Sequence, residues 1–222
     1  MPYSLFSHTA RITSSLQQLR QYAQKWDNMH PNDKLHQLKE ESAQFLWAIA
    51  FSALPKRILE LGCGSGYSTL WLASTLVDQR AILVSLDLNP SKIEIARAHI
   101  DRAGLTDKVI FHSSSLSDKI LDEHFSQGID LLFLDCAKPD YYPMFAKTLP
   151  YLSEHSIIVA DNAISKVQQL SDFIRALEQL ELSHIVKFAV IPCSSGLLVA
   201  RFTQKAVLTD FQNQPDQPET IM

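Results

Sequence analysis

The sequence predicts an α/β fold with N-terminal helices and a doubly wound, mostly parallel seven-stranded sheet that ends in an antiparallel hairpin. From residue 57 onward, short apolar runs rich in β-branched residues alternate with amphipathic segments. That alternation is typical of parallel strands covered by helices on both faces. The last two runs are joined only by a short turn at 192–196. Because a parallel crossover needs a much longer connection, these two strands are expected to pair antiparallel.

The first 54 residues have helical periodicity in two pieces, which break at Pro31 because proline cannot continue a helix. Asn32 or Asp33 is the expected cap of the second piece, whose apolar face includes Leu35 and Leu38 and is expected to pack on the sheet. A helix at 67–76 follows the first strand, and a later one is expected at 166–180. The predicted strands are 57–61, 81–87, 108–113, 129–135, 156–160, 185–191 and 197–202.

These elements divide the chain into a helical extension or lid (1–54), the α/β domain (55–203) and a tail (204–222). The tail is polar, contains two prolines and is predicted to be disordered. Exposed apolar surface on the N-terminal helices could support a homodimer.

The composition, 46% apolar and 20% charged, is that of a soluble globular protein. A net charge of −4 gives no basic footprint for nucleic acid. No apolar run is long enough for a membrane span, and the N-terminus lacks a signal-peptide core. The three cysteines have no metal-type spacing, so free thiols and a cytoplasmic location are expected.

Glycine is scarce, with six in the chain, yet three of them lie close together as Gly62, Gly64 and Gly66. A strand, a glycine turn and a helix in this order bring backbone close to a ligand at a helix N-terminus. The dinucleotide pattern fails because Tyr67 occupies its third glycine position, and the phosphate-binding Gly-Lys-Ser/Thr ending is absent from this loop. Glu60 before the turn would repel a pyrophosphate and suit a cationic ligand.

Asp87 ends the second strand, where a carboxylate is well placed to bind both ribose hydroxyls of an adenosine. S-adenosylmethionine fits this set, since it has a sulfonium, an ammonium and a ribose but no phosphate. The alternative is a tight structural turn, with Glu60 as a helix cap or a surface carboxylate.

Further carboxylates follow the fourth and fifth strands, at Asp135 and Asp161. The carboxyl ends of parallel strands meet at one edge of the sheet, so these groups need a cation to offset their repulsion. Together with Asn162 they offer oxygen ligands of the kind that Mg²⁺, Mn²⁺ or Ca²⁺ prefers. Lys138 beside such an ion could act as a base. The alternatives are that Asp161 caps a helix and that Lys138 forms a salt bridge with Asp135 or Asp140.

At this point the sequence resembles the cation-dependent O-methyltransferases of the catechol and caffeoyl-coenzyme A type, which have the Rossmann-like class I methyltransferase fold. The resemblance covers about residues 44–201. Its anchors are the segment ELGCGSGYS (60–68), Asp87, the segment DLLFLDCAK (130–138) with Tyr141 or Tyr142, Asp161-Asn162, and the segment IPCSSG (191–196).

The resemblance implies that Asp135, Asp161 and Asn162 hold a divalent cation, for which Mg²⁺ is the expected ion, and that Lys138 is the general base of the reaction. It also implies the residues that bind S-adenosylmethionine: Glu60, Gly62, Gly64, Gly66, Ser68, Asp87 and Asp135. The implied reaction is in-line attack of a hydroxyl of a small phenolic, catechol-like acceptor on the sulfonium methyl group.

Three features depart from the family's pattern. Ser113–Ser115 replaces Gly-Asp-Ala after the third strand, so Ser114 is the expected adenine contact. The loop after Asn162 is short and lacks the family's tryptophan, and Ser195 replaces an aspartate near the hairpin. An open acceptor pocket is therefore expected. The alternatives are methylation of a hydroxylated tRNA base, a non-catalytic cofactor-binding protein and a nicotinamide oxidoreductase.

Overall fold

A computed structural model of the chain describes residues 10–31, 34–35 and 37–204. The expected caps Asn32 and Asp33, and the predicted tail beyond Gln204, lie outside the described residues. The helices are α1 (Ala10–Met29), α2 (Glu40–Ala53), α3 (Tyr67–Ala73), α4 (Pro90–Ala103), α5 (Asp118–Phe125), α6 (Tyr141–Thr148) and α7 (Ser171–Leu182). The strands are β1 (Arg57–Leu61), β2 (Ile82–Leu86), β3 (Val109–His112), β4 (Ile129–Leu134), β5 (Leu152–Asp161), β6 (Val186–Ile191) and β7 (Leu197–Phe202).

The seven strands form one sheet in the order β3-β2-β1-β4-β5-β7-β6. The first five in this order run parallel, while β7 lies antiparallel between β5 and β6. The predicted fold class and the terminal hairpin are therefore confirmed. No helix among the described residues is long and apolar enough to cross a membrane.

The central strands are apolar along almost their whole length because helices cover both faces of the sheet. On one face, Leu59 and Leu132 pack with the aromatic rings of α5, α6 and α7. On the other face, Ile58 and Leu131 pack with α1, α2 and α3, where Trp71 is completely buried. The two layers fix the strand ends, so side chains that follow the strands are held in a defined arrangement.

Two predicted helices differ in extent from the structure. The helix after β1 ends at Ala73, and the later one consists of a 3₁₀ turn (Val167–Leu170) followed by α7.

The segment that precedes α2 is not helical, although its leucines were expected on a helical face. Leu35 and Leu38 are buried, but the helix begins only at Glu40. The backbone amide of Leu35 donates instead to Oδ1 of Asp27 in α1 (2.8 Å). A tertiary contact thus takes the place of the expected helical hydrogen bond at Leu35.

Candidate active site

One large cavity, of about 1070 Å³, lies beyond the carboxyl ends of the central strands. Its wall combines the glycine loop, the loops after β2, β3, β4 and β5, and residues of the N-terminal helices. Ligands of open α/β sheets bind at this edge. The volume is at the upper end of the range for small-molecule sites, about 300–1,000 Å³. The cavity therefore has room for a cofactor and a second small molecule.

The loop between β1 and α3 needs glycine at two positions for steric reasons. Gly62 has φ +94°, and a Cβ atom there would lie 2.4 Å from the backbone oxygen of Asp135. Gly66 has φ +88°, and its Cβ would lie 2.6 Å from the Cβ of Ala96 in α4. Both contacts are too short for any side chain. The loop therefore packs closely between the end of β4 and α4, and its backbone forms part of the cavity wall.

Glu60 lies behind this loop, where its side chain is completely buried. Its carboxylate accepts hydrogen bonds from the hydroxyls of Ser68 (2.6 Å), Thr69 (2.6 Å) and Ser85 (2.5 Å). Burial raises the pKa of this carboxyl, and the three hydroxyl hydrogen bonds oppose that rise. The carboxylate thus ties the first turn of α3 to β1 and β2.

Direct contact of Glu60 with the cofactor stays a prediction, and in the structure its carboxylate supports the loop. Thr69 and Ser85, which hold it there, were missed by the sequence reasoning. The sequence signal that could have revealed them is a hydroxyl side chain within an otherwise apolar element, Thr69 in α3 and Ser85 in β2.

Asp87 lines the cavity at the end of β2 and fixes the neighbouring backbone. Its carboxylate accepts from the amides of Gly64 and Asn89, each at 2.9 Å. Ser114, from the loop after β3, lines the same cavity together with Leu116. The structure thus brings the predicted ribose and adenine contacts to one wall.

Asp135 and Lys138 lie on another side of the cavity, directly after β4. Nζ of Lys138 donates to Oδ1 of Asp135 at 3.0 Å and also lies 2.9 Å from the hydroxyl oxygen of Tyr141. Burial raises the pKa of Asp135 to about 7, an effect that Lys138 opposes and the carboxylate of Asp161 reinforces. The salt bridge expected as an alternative is present. The same ion pair holds the amine of Lys138 at the cavity wall, where a base could reach a bound acceptor.

Asp161 ends β5 and lines the cavity with Asn162, whose backbone has a left-handed φ of +65°. Oδ1 of Asp161 accepts the hydroxyl hydrogen of Ser195 at 2.8 Å. Burial raises the pKa of Asp161, while the Ser195 hydroxyl and Lys138 oppose that rise. Ser195 therefore fills the position of the missing aspartate as a hydrogen-bond donor.

Two carboxylates and one amide oxygen on adjacent strand ends fit a hard divalent cation by the chemistry of their donors. The fit is supported by the raised pKa values of Asp135 and Asp161. A cation beside them, in addition to Lys138, would stabilise the charged carboxylates that burial disfavours. Within the described ranges, however, no three His, Cys, Asp or Glu side chains are arranged to hold a metal ion. A cation here would need Asn162 and further oxygens from water or an acceptor.

The segment between α1 and α2 crosses the glycine loop, a contact that the sequence did not predict. The side-chain amide of Gln37 donates to the hydroxyl of Ser65 (3.0 Å) and to the carbonyl of Leu19 (3.3 Å). The carbonyl oxygen of Leu35 lies 3.3 Å from where a Cβ of Gly64 would stand. The N-terminal extension therefore forms one wall of the cavity.

Curated relatives of the chain include catechol and caffeoyl-CoA O-methyltransferases. Over 124 residues the chain is 37% identical to the catechol O-methyltransferase of Niastella koreensis, a match that covers 54% of this chain and 55% of that protein. The chain thus spans about half the length of this relative. Caffeoyl-CoA O-methyltransferase 2 of Eucalyptus globulus is 25% identical over 210 residues, which cover 86% of this chain and 83% of that protein.

Among solved structures, the O-methyltransferase of Bacillus cereus in complex with SAH has the same fold. Its TM-score is 0.74 at 22% identity, with 90% of this chain and 94% of that chain covered. The family model described as O-methyltransferase matches residues 7–201. That match covers most of the sequence and confirms the resemblance drawn from the motifs. The chain belongs to the O-methyltransferase family.

Proposed function

We propose that the protein transfers a methyl group from S-adenosylmethionine to a hydroxyl of a small, catechol-like acceptor, assisted by a divalent cation. The observation that carries this proposal is the position of Asp135, Lys138, Asp161 and Asn162 on the wall of the same cavity as the glycine loop. Family membership supports the reaction class, and the catechol O-methyltransferases among the relatives support the class of acceptor.

On the cofactor side, S-adenosylmethionine supplies the methyl group. Gly62 and Gly64 line the cavity beside Ser68 and Asp135, so their backbone would contact the cofactor, while Gly66 lets the loop pack against Ala96. Asp87 keeps lone pairs for ribose hydroxyls although it already accepts two amides. Ser114 would donate to or accept from the adenine. Glu60 acts indirectly, by holding the loop and Ser68 in place.

On the acceptor side, Asp135, Asp161 and Asn162 would hold the cation. Mg²⁺ is the first choice for such oxygen donors, and Mn²⁺ or Ca²⁺ would also fit. A cation there would stabilise negative charge on the acceptor oxygens. Lys138 holds its amine at the cavity wall and would accept the proton of the attacking hydroxyl.

The test is transfer from labelled S-adenosylmethionine to a catechol panel, in Mg²⁺ and in EDTA. We expect transfer in Mg²⁺ that EDTA abolishes. Lys138→Met and Asp161→Asn should each lower it by at least about a hundredfold, the effect of losing general base or electrostatic catalysis. Lys187→Met, on the exposed strand β6, is the matched control.

Transfer that persists in EDTA would contradict the role of the cation. Transfer to tRNA but to none of the catechols would contradict the acceptor class.

A cytoplasmic location and a homodimer remain predictions.

A further inference from the structure

Two lysines flank the part of the cavity where the acceptor is proposed to bind. Lys39 and Lys166 both line the cavity, and each is exposed to solvent. They come from different elements: Lys39 directly precedes α2, and Lys166 belongs to the loop after β5.

Lys166 is joined to a proposed cation ligand, and the helix that follows Lys39 contacts the turn beside another. The amide of Lys166 donates to the carbonyl oxygen of Asn162 at 2.9 Å. Two residues after Lys39, the carboxylate of Glu41 accepts the hydroxyl of Ser194 at 3.1 Å. The next residue, Ser195, is the one that donates to Asp161. The segments that carry the two lysines therefore both contact residues next to Asp161, one at Asn162 and the other at the 194–195 turn.

The carboxylates near these lysines have other hydrogen-bond or ion-pair partners. Glu40 pairs with Arg20, Glu41 accepts from Ser194, and Asp27 accepts from the amide of Leu35. In the described part of the chain, no carboxylate lies within ion-pair distance of the Lys39 or Lys166 amine. Asp140 also lines the cavity and has no ion-pair partner among the described residues.

A catechol whose two oxygens lie at Asp135 and Asp161 would extend its ring and substituent toward the mouth of the cavity. The wall there includes apolar side chains, Leu38 and Met144, that suit an aromatic ring. Beyond them, two ammonium groups would attract a carboxylate and repel an amine. A neutral substituent would gain nothing from them.

We propose that the acceptor is a catechol with a carboxylate on its ring substituent, and that Lys39 and Lys166 select it by charge. This inference rests on the proposed function. It extends that function by naming the acceptor subclass and two specificity-determining residues.

The experiment compares kcat/KM for four acceptors: 3,4-dihydroxybenzoate, caffeate, unsubstituted catechol and dopamine. In the wild type we expect the two acids to exceed dopamine by about a hundredfold at low salt, about tenfold for each lysine, with catechol between them. The preference should shrink as salt is added, because these charges are exposed.

Lys39→Met and Lys166→Met should each raise KM for the acids by about threefold and leave the kinetics of catechol unchanged. Lys166→Glu should reverse the order, so that dopamine becomes a better acceptor than caffeate. Lys56→Met is the matched control, since Lys56 lies before β1, at the opposite end of the sheet.

A wild type that methylates acids and dopamine equally well would overturn the inference and leave the proposed function intact. Lysine variants that lower activity on acids and catechol alike would also overturn it, since such a loss would be structural. No transfer to any of the four acceptors would instead refute the proposed function on which the inference depends.

Discussion

The hydroxyl oxygen of Tyr141 lies 2.9 Å from Nζ of Lys138 and joins that amine to the ends of two strands. The same hydroxyl lies 2.8 Å from the carbonyl oxygen of Leu134, in β4, and 3.2 Å from that of Asp161, in β5. The tyrosine is completely buried, and burial raises its pKa well above the ordinary value. It therefore stays a neutral phenol that holds the proposed base against both carboxylate-bearing strands.

Tyr141→Phe is expected to lower kcat by about tenfold, because Lys138 loses an acceptor worth about 1.5 kcal/mol, and 1.4 kcal/mol corresponds to a factor of ten. KM for S-adenosylmethionine should not change, since the glycine loop is untouched. Steady-state kinetics with both substrates varied would measure this. Tyr142→Phe is the control, because that ring is 40% exposed and lies on the same helix. A Tyr141→Phe enzyme with wild-type kcat would show that the hydroxyl does not position the amine.

Glu60→Gln is expected to destabilise the fold and weaken cofactor binding together. Glutamine offers an NH₂ group to hydroxyls that now donate to a carboxylate, so at least one buried hydrogen bond of Ser68, Thr69 or Ser85 is lost. The cost is about 1–3 kcal/mol of unfolding free energy. Urea unfolding and calorimetric titration with S-adenosylmethionine would measure the two effects.

The control for this carboxylate is Glu181→Gln. Glu181 lies at the surface, 3.4 Å from Lys187, where an ion pair contributes little. If Glu60→Gln weakened cofactor binding without any loss of stability, the carboxylate would be a direct ligand, as the sequence predicted, rather than a support.

The strand ends were predictable from sequence because their pattern is local. An apolar run followed by a carboxylate, as at Asp135 and Asp161, predicts both the strand and the edge of the sheet where the side chain lies. The direction in which Glu60 points was not predictable. It depends on hydroxyls of Thr69 and Ser85, which reach it from other elements.

The same limit applies to the N-terminal extension. Leu35 and Leu38 have spacing that fits a helix, but hydrogen bonds from this segment to Asp27 and to Ser65 hold it across the glycine loop. Contacts between residues far apart in sequence therefore outweighed the local helical periodicity. As a result, α2 begins later in the chain than the sequence predicted.

Cation binding is expected to depend on pH through Asp135, whose pKa burial raises to about 7. Because the folded-state pKa lies above that of the unfolded chain, this group contributes full stability at low pH. The contribution is lost as pH rises through about 7. In EDTA, the wild type should therefore lose stability between pH 6 and 8 relative to Asp135→Asn. Mg²⁺ binds the ionised form, so its effect on Tm should be larger at pH 8 than at pH 6.

Thermal unfolding in EDTA and in Mg²⁺ at pH 6, 7 and 8 would check this. Asp161→Asn should reduce the Mg²⁺-dependent rise in Tm at every pH, while Asp172→Asn, at an exposed position of α7, should retain it. An equal rise in Tm for wild type and Asp161→Asn would place the cation elsewhere.

Two histidines face each other across the loop that carries Ser114. Nε2 of His112, at the end of β3, lies 3.0 Å from Nε2 of His124, in α5. One ring must donate and the other accept, so the contact requires that one of the two rings be neutral. Burial lowers the pKa of His112, and His124 lowers it further, whereas Glu123 opposes the shift. The two histidines belong to the elements that flank the loop of Ser114, a residue that lines the cavity.

An unfolded histidine takes up its proton near pH 6.5, above the folded-state pKa of His112. Stability is therefore full above about pH 6.5 and is lost as pH falls through the folded-state value. We expect His124→Gln to flatten this loss between pH 7 and 5, as measured by urea unfolding. His184→Asn, at an exposed position, should keep the wild-type profile. His99, whose pKa burial also lowers, contributes equally to all three proteins and cancels in the comparison. Parallel profiles for wild type and His124→Gln would show that this imidazole contact does not set the acid stability of the protein.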